Sequence, residues 1–352
     1  MESSRTQVDA WREHFRGAFS SFDESRPVLI LSHNDADGLA SAAILTAAFS
    51  RAARRAEVRI LGRGENPWSP GWRDELDFEP GGLIVADLGV RPEPVLPGVP
   101  TVLIDHHVPR GAPADAAIIS GYAHEPTPTS GLLAFWCVQT LADVDDLLWI
   151  AAISLIGDMA EDAGFAEMGE ARRRYGATAL RSATSLLNAA RRAGSGDARP
   201  AFDLLMKADG PKDVVSGVHA ETAVLKAARE EVKAALEAGK RVAPKIRGEV
   251  ALIVVDSPCQ IHPLVAQTWR GRLKKNIVIA ANTGFRAGRV HFAVRSDTGR
   301  NLVEFLRANA PAGADEQYGS GHEQATGGAL SPESWNEFLA NIGFGADLEA
   351  AA

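Results

Sequence analysis

A chain of 352 residues, 45% of them hydrophobic, carries 45 acidic against 37 basic side chains and a formal net charge of −8. That balance excludes a whole-protein positive field able to hold a long polyanion through many phosphate contacts, so any nucleic acid must be gripped locally. No run of about 18 uncharged apolar residues occurs, and the opening MESSRTQVDAWREHF lacks the basic and apolar zones of a signal peptide, so a cytoplasmic protein with no membrane partner is expected. Cys137 and Cys259 show neither metal-ligand spacing nor a disulfide framework and read as reduced packing residues.

The length accommodates two domains, and the pattern predicts an α/β protein. Apolar runs at 27–32 (PVLILS), 58–61 (VRIL), 82–88 (GLIVADL) and 101–107 (TVLIDHH) read as strands. They alternate with helical patterns, which is the signature of a parallel sheet with crossover helices. A helix is expected from Leu39 to about Ala56, then a Pro/Gly-rich loop, GRGENPWSPGW. Further helices open at Ser130 (SGLLAFWCVQTL) and at DDLLWIAAISLIGD, whose all-round apolarity predicts burial. Helical pattern continues through 167–205 apart from the flexible AGSGDARP, and 218–240 reads as one long amphipathic helix bridging two domains. Beyond it come strands VALIVVD, NIVIAA and VHFAVRS, helices opening at Ser257–Pro258, Asn301 and Pro332, and a glycine loop. The expected organisation is a first domain at 1–200, a helical linker at 201–244, and a smaller α/β domain at 245–352, with the active cleft between the two.

Carboxylates gather where apolar segments end: Asp35 and Asp37 after the first strand, Asp87 in IVADLG, Asp105 in LIDHH and Asp158 in LIGDMAED. One Asp in such a place ordinarily caps the next helix. Several on one rim of a parallel sheet, where ligands bind, would repel one another and be driven neutral without cations. Together with His33, His106 and His107 they make an oxygen-and-imidazole donor set suited to Mn2+, with Mg2+ as a harder substitute. If the first strand stays extended through them, His33, Asp35 and Asp37 point to one side.

HNDADG, ADLG, DHH and GD, in this order and spacing across residues 27–160, resemble the four motifs of the DHH phosphoesterase superfamily. The resemblance implies a two-metal site: Asp35 and Asp87 on one ion, and Asp37, Asp87, His106 and Asp158 on the other, with Asp87 bridging. It places Asp105 behind the ligands, orienting the histidines, and His107 toward the substrate phosphate as donor or general acid. The pyrophosphatase branch has its histidine four residues before the first Asp, where this chain has Leu31. Here His33 stands two before, as in RecJ-like proteins of archaeal type, and is expected as a further metal ligand.

In YGSGHEQATGG, the glycines at 319, 321, 327 and 328 allow backbone amides to approach an anion, and His322 follows directly. VHFAVRS ends in Arg295 and Ser296, so Arg295, Ser296, Gly319, Gly321 and His322 form a candidate phosphate grip. Loop and strand end resemble the DHH-associated C-terminal domain shared by RecJ and the nanoRNases, with Ser320 replacing a glycine. His262 and His124 read as packing or capping residues, 270–275 (RGRLKK) as a solvated helix end, and Trp68 and Trp72 as loop anchors. The expected activity is two-metal hydrolysis of single-stranded DNA or RNA, favouring short oligonucleotides, from an end to nucleoside monophosphates. Only 22 residues follow Leu330, too few for the oligonucleotide-binding domain of full-length bacterial RecJ. Alternatives are a phosphatase or phosphodiesterase of small nucleotides (3'-phosphoadenosine 5'-phosphate, cyclic dinucleotides) and a non-catalytic single-strand-binding replication scaffold; the oligomeric state stays open, a dimer included.

Overall fold

A computed structural model describes residues 2–69, 71–314 and 318–345. Met1, Pro70, 315–317 and 346–352, which belong to the domains read from the sequence, lie outside the described residues. The chain divides into two compact units, one of 1–191 with 197–226 and one of 192–196 with 227–352.

The first unit contains α1 (Glu2–Phe19), β1 (Val28–Ser32), α2 (Ala36–Arg51), β2 (Ala56–Ile60), β3 (Gly82–Ala86), β4 (Thr101–Asp105), β5 (Ala116–Ser120), α3 (Ser130–Val138), α4 (Leu148–Gly157), α5 (Ala166–Tyr175) and α6 (Ala177–Leu187). It continues into α7 (Ala189–Arg192), α8 (Arg199–Lys207), α9 (Pro211–Ser216) and the start of α10 (Ala220–Gly239). Its five strands are all parallel, in the order β2-β1-β3-β4-β5. β1, β3 and β4 are nearly all apolar because both faces are covered. Alternate residues split between two cores: Val28, Ile30, Ile84, Val102 and Ile104 pack with the helices, whereas Leu29, Leu31, Leu83, Val85 and Leu103 pack with Trp72, Val90 and Val95.

Two elements carry no clear signal in the sequence. The polar opening is a helix, α1, whose Trp11, Phe15 and Phe19 enter the helical core, and β5 closes the sheet at its edge. The segment 201–244 is shared: residues to Lys226 pack with the first unit, Leu204, Leu205, Val214 and Leu225 in its core, and Ala227 onward with the second.

The second unit comprises β6 (Lys245–Arg247), β7 (Val250–Val255), α11 (His262–Arg272), β8 (Ile277–Arg286), β9 (Arg289–Ser296), α12 (Leu302–Ala308), β10 (Ser320–His322), β11 (Ala325–Leu330) and α13 (Pro332–Asn341). The sheet order is β10-β11-β9-β8-β7-β6, with β7 and β8 parallel and the other pairs antiparallel. The helix expected at Ser257 starts later, at His262, because buried Asn282 fixes 257–259 as a turn. Its Oδ1 accepts the Ser257 amide at 3.0 Å, and its Nδ2 donates to the Cys259 carbonyl at 2.9 Å. The expected glycine loop is largely a hairpin of β10 and β11; a Cβ on Gly327 would stand 2.4 Å from the Phe292 carbonyl oxygen on β9, so the strands pair this closely only with glycine there. Neither cysteine forms a disulfide, and both are buried. Among the described residues no helix is long and apolar enough to cross a membrane.

Candidate metal centre

Registration of the parallel strands creates the site. Ser32 at the end of β1 pairs with Ala86 at the end of β3, and Ala86 with Ile104 on β4, so His33, Asp87 and Asp105 leave the sheet side by side. Asp35 then caps α2, its Oδ1 accepting the Gly38 amide at 3.2 Å, as a lone Asp after a strand is apt to do. The chain therefore does not stay extended through Asp37, and strand alternation does not align His33, Asp35 and Asp37. A tight strand-to-helix turn aligns His33 with Asp35 instead, Nδ1 to Oδ2 at 3.1 Å, and Asp37 sits in the first turn of α2. The turn needs Gly38, where a Cβ would lie 2.4 Å from the His33 carbonyl oxygen.

Two clusters result, His33 with Asp35 and Asp87, and Asp37 with His106 and Asp158, and a third grouping of Asp87, His106 and His107 joins them. Asp87 stands between them. Its Oδ2 lies 3.3 Å from His33 Nδ1, and its Oδ1 lies 3.5 Å from His106 Nε2 and 3.8 Å from His107 Nδ1. His106 Nε2 is 3.0 Å from Asp158 and 3.8 Å from Asp37. Asp158 arrives as the C-cap of the apolar helix α4. Asp87 has φ 63°, in the left-handed region that Asp and Asn tolerate better than other side chains, a strain of the kind found at functional sites.

The electrostatics are those of crowded carboxylates compensated in part by neighbouring imidazoles and one guanidinium. Asp37 is pushed well above the ordinary carboxylate range by burial and then by repulsion from Asp87 and Asp158. This occurs although the amides at the start of α3, from Ser130 (2.9 Å) and Gly131 (2.7 Å), both donate to it. Burial opposes charge on His33, but Asp35 and Asp87 outweigh it and raise the imidazole to about 10; His106 is likewise raised to about 11 by Asp158, Asp87 and Asp37. Asp35 goes the other way: despite burial, His33, Arg191 and the Gly38 amide hold it well below the usual range.

A divalent cation fits these residues. Neighbouring ligands on an octahedral ion with bonds near 2.1 Å stand about 3 Å apart; the imidazole–carboxylate donor pairs here stand 3.0–3.8 Å apart, and all donors of each group within 4.8 Å of one another. His106 Nε2 is buried without a hydrogen-bond partner, close to carboxylates yet outside hydrogen-bond alignment. Carboxylates and imidazoles with no thiolate suit Mn2+ or Mg2+.

Asp105 Oδ2 accepts the Gly89 amide at 2.7 Å and Oδ1 the His107 amide at 2.7 Å, with the His107 ring Nδ1 at 3.1 Å. It thus orients His107, not His106, and raises it. No sequence pattern signals Ser130, whose Oγ donates to Asp87 Oδ1 at 3.1 Å, or Arg191, whose Nη1 donates to Asp35 Oδ2 at 3.2 Å from 156 residues away.

In the second unit, His322 pairs with Ala325 and Ala325 with Arg295. Directly opposed residues share a sheet face, so His322 and Arg295 lie on the same face, with His322 exposed. Gly319 and Gly321 carry positive φ, 72° and 134°. Ser296 does not join them: it is buried, its Oγ bound to the Asn276 carbonyl at 3.2 Å and beside Thr298 Oγ1 at 2.8 Å, since adjacent strand residues face opposite ways. His262 is buried at the start of α11, and His124 packs edge-on against Trp11 at 4.8 Å. Trp68 and Trp72 anchor their loop through indole bonds to the Glu93 and Pro67 carbonyls. Arg270 pairs with Asp297 at 3.0 Å.

No family model and no curated protein matches this sequence. Solved structures do. A crystal structure of exonuclease RecJ bound to manganese superposes with a TM-score of 0.66 at 19% identity, covering 94% of this chain and 93% of that one. RecJ from Thermus thermophilus in complex with Mn2+ gives 0.68 at 18% identity, over 94% of this chain and 54% of that one. The DHH domain of a member of the S1p family of ribosomal proteins gives 0.65 at 15%, over 97% and 91%. The fold is the one these RecJ and DHH-domain structures share. This chain spans about half of the Thermus RecJ chain. The same Thermus protein is also solved with Mg2+.

Proposed function

We propose that this chain is a two-metal phosphodiesterase that hydrolyses single-stranded nucleic acid, short oligonucleotides above all, from an end to nucleoside monophosphates. The observation that carries the reading is Asp87, which turns one carboxylate oxygen to each of two His/Asp clusters. Such a bridge suits a pair of ions sharing one carboxylate. Bound Mn2+, or Mg2+, would supply an activated water and neutralise charge on the phosphoryl oxygens.

The chain's own residues do the rest. His33, Asp35 and Asp87 would hold one ion, and Asp37, Asp87, His106 and Asp158 the other. His107 is half exposed and held by Asp105, and would donate a proton toward a phosphate oxygen or leaving group. Arg295, His322 and the amides around Gly319 and Gly321 would grip a phosphate of the substrate. The RecJ likeness is in keeping with this, and so is the acidic net charge, which disfavours long polyanions.

The test is to incubate the metal-loaded protein with end-labelled oligonucleotides of graded length, beside cyclic dinucleotides and 3'-phosphoadenosine 5'-phosphate. Mononucleotide release from short strands supports the reading. Turnover of small nucleotides alone would replace it, and single-strand binding without turnover of any substrate would overturn it.

A further inference from the structure

Arg191 brings a fixed positive charge to the first cluster and none to the second. Its Nη1 bonds Asp35 Oδ2 at 3.2 Å, the same oxygen that stands 3.1 Å from His33 Nδ1. Asp37 and Asp158 form their ion pairs with His106, and among the described residues no arginine or lysine pairs with either.

The role of that charge follows from what else holds Asp35. The carboxylate is already oriented by its own helix, through the Gly38 amide on Oδ1. Close to Arg191 in sequence, Asn188 Oδ1 accepts the Ala36 amide at 3.0 Å, so the 188–191 segment is itself docked on the turn. The guanidinium Nε is buried with no hydrogen-bond partner. Orientation of Asp35 therefore does not depend on Arg191. What the guanidinium adds is charge.

We propose that Arg191 is the resident counter-ion of Asp35 and competes with the metal for the first cluster, making this the weaker and more exchangeable of the two sites. The inference rests on the metal-centre reading above. A guanidinium and a divalent cation drawn to one carboxylate oxygen in a partly buried setting repel each other strongly, so the cation enters only as the guanidinium gives way. In the metal-free protein the same contact compensates a carboxylate that would otherwise be buried beside Asp87.

Calorimetric titration of the metal-stripped full chain with Mn2+ tests this, paired with thermal unfolding in EDTA. The wild type is expected to show two binding classes. Arg191→Gln should tighten the weaker class by about 10-fold or more while lowering the metal-free Tm, and Arg191→Lys, which keeps the charge, should restore the wild-type pattern. Arg191→Met, which preserves the volume of the stem, carries the test if the Gln variant does not fold. A weaker class that is unchanged or loosened in both charge-removing variants overturns the inference, loosening meaning that Arg191 orients Asp35 after all. A wild type that binds no Mn2+ overturns the metal-centre reading itself and this inference with it.

Discussion

Asp105 holds His107 at two points, accepting its backbone N–H at 2.7 Å and standing 3.1 Å from its ring Nδ1 with the same oxygen. The Gly89 amide on the other oxygen stops the carboxylate from rotating away. Because Asp105 itself belongs to none of the candidate metal-holding groups, Asp105→Asn should lower kcat by about 10- to 100-fold with a much smaller change in the Mn2+ binding constants. Steady-state kinetics beside calorimetry checks both; full kcat in the variant would remove His107 from the chemistry.

Metal removal should be visible in stability. Ions bound only by the folded state stabilise it by about 2.7 kcal/mol at a concentration 100 times Kd. Added Mn2+ should raise the Tm of the wild type, and Asp87→Asn should lose most of that rise along with hydrolysis, its far-UV circular dichroism unchanged. An Asp87→Asn protein that still hydrolyses at the wild-type rate would contradict the shared-carboxylate arrangement.

A pH effect is expected from the second unit. Burial first, then the charges of His291, Arg192 and Arg295, push His262 down from 6.5 to about 3. The folded protein keeps this ring neutral while the unfolded chain protonates it below 6.5. Its contribution to stability is therefore fully present above pH 6.5 and is lost as pH falls toward about 3, by at most about 1.4 kcal/mol per pH unit. Denaturant unfolding at pH 7.5 and 5.5 should show a shallower loss in His262→Phe than in the wild type. Equal losses would mean that the ring is accessible to protons when folded.

Arg295 and His322 share one sheet face across Ala325. Replacing Arg295 with Ala should raise KM for a short oligonucleotide by about 10-fold, equivalent to about 1.4 kcal/mol, with kcat much less affected. An unchanged KM would count against the phosphate grip.

The legible parts of this molecule were those with a short-range pattern. The apolar runs around Ile30, Ile84 and Leu103 declared strands covered on both faces, and the carboxylates at their ends declared a rim. α1 stayed hidden because Trp11, Phe15 and Phe19 are separated by charged residues and contribute too little apolar density to outweigh a polar composition. The glycines of β11 suggested a loop, since glycine's freedom is local while its use here, close approach to Phe292, depends on a strand far away in sequence. Asn282 and Arg191 act across long sequence separations, through hydrogen bonds that no periodicity announces. Ser296 misled because it adjoins Arg295 in sequence, which on a strand guarantees opposite faces.

The left-handed backbone at Asp87 also bears on the descent of such a protein. Asn and Gly suit that conformation as well as Asp does, so the residue on which both clusters depend can be exchanged with no penalty in the main chain. Either exchange would leave the sheet and its cores intact and relieve like-charge repulsion within the nest. A descendant with the same architecture and a less acidic nest is one substitution away.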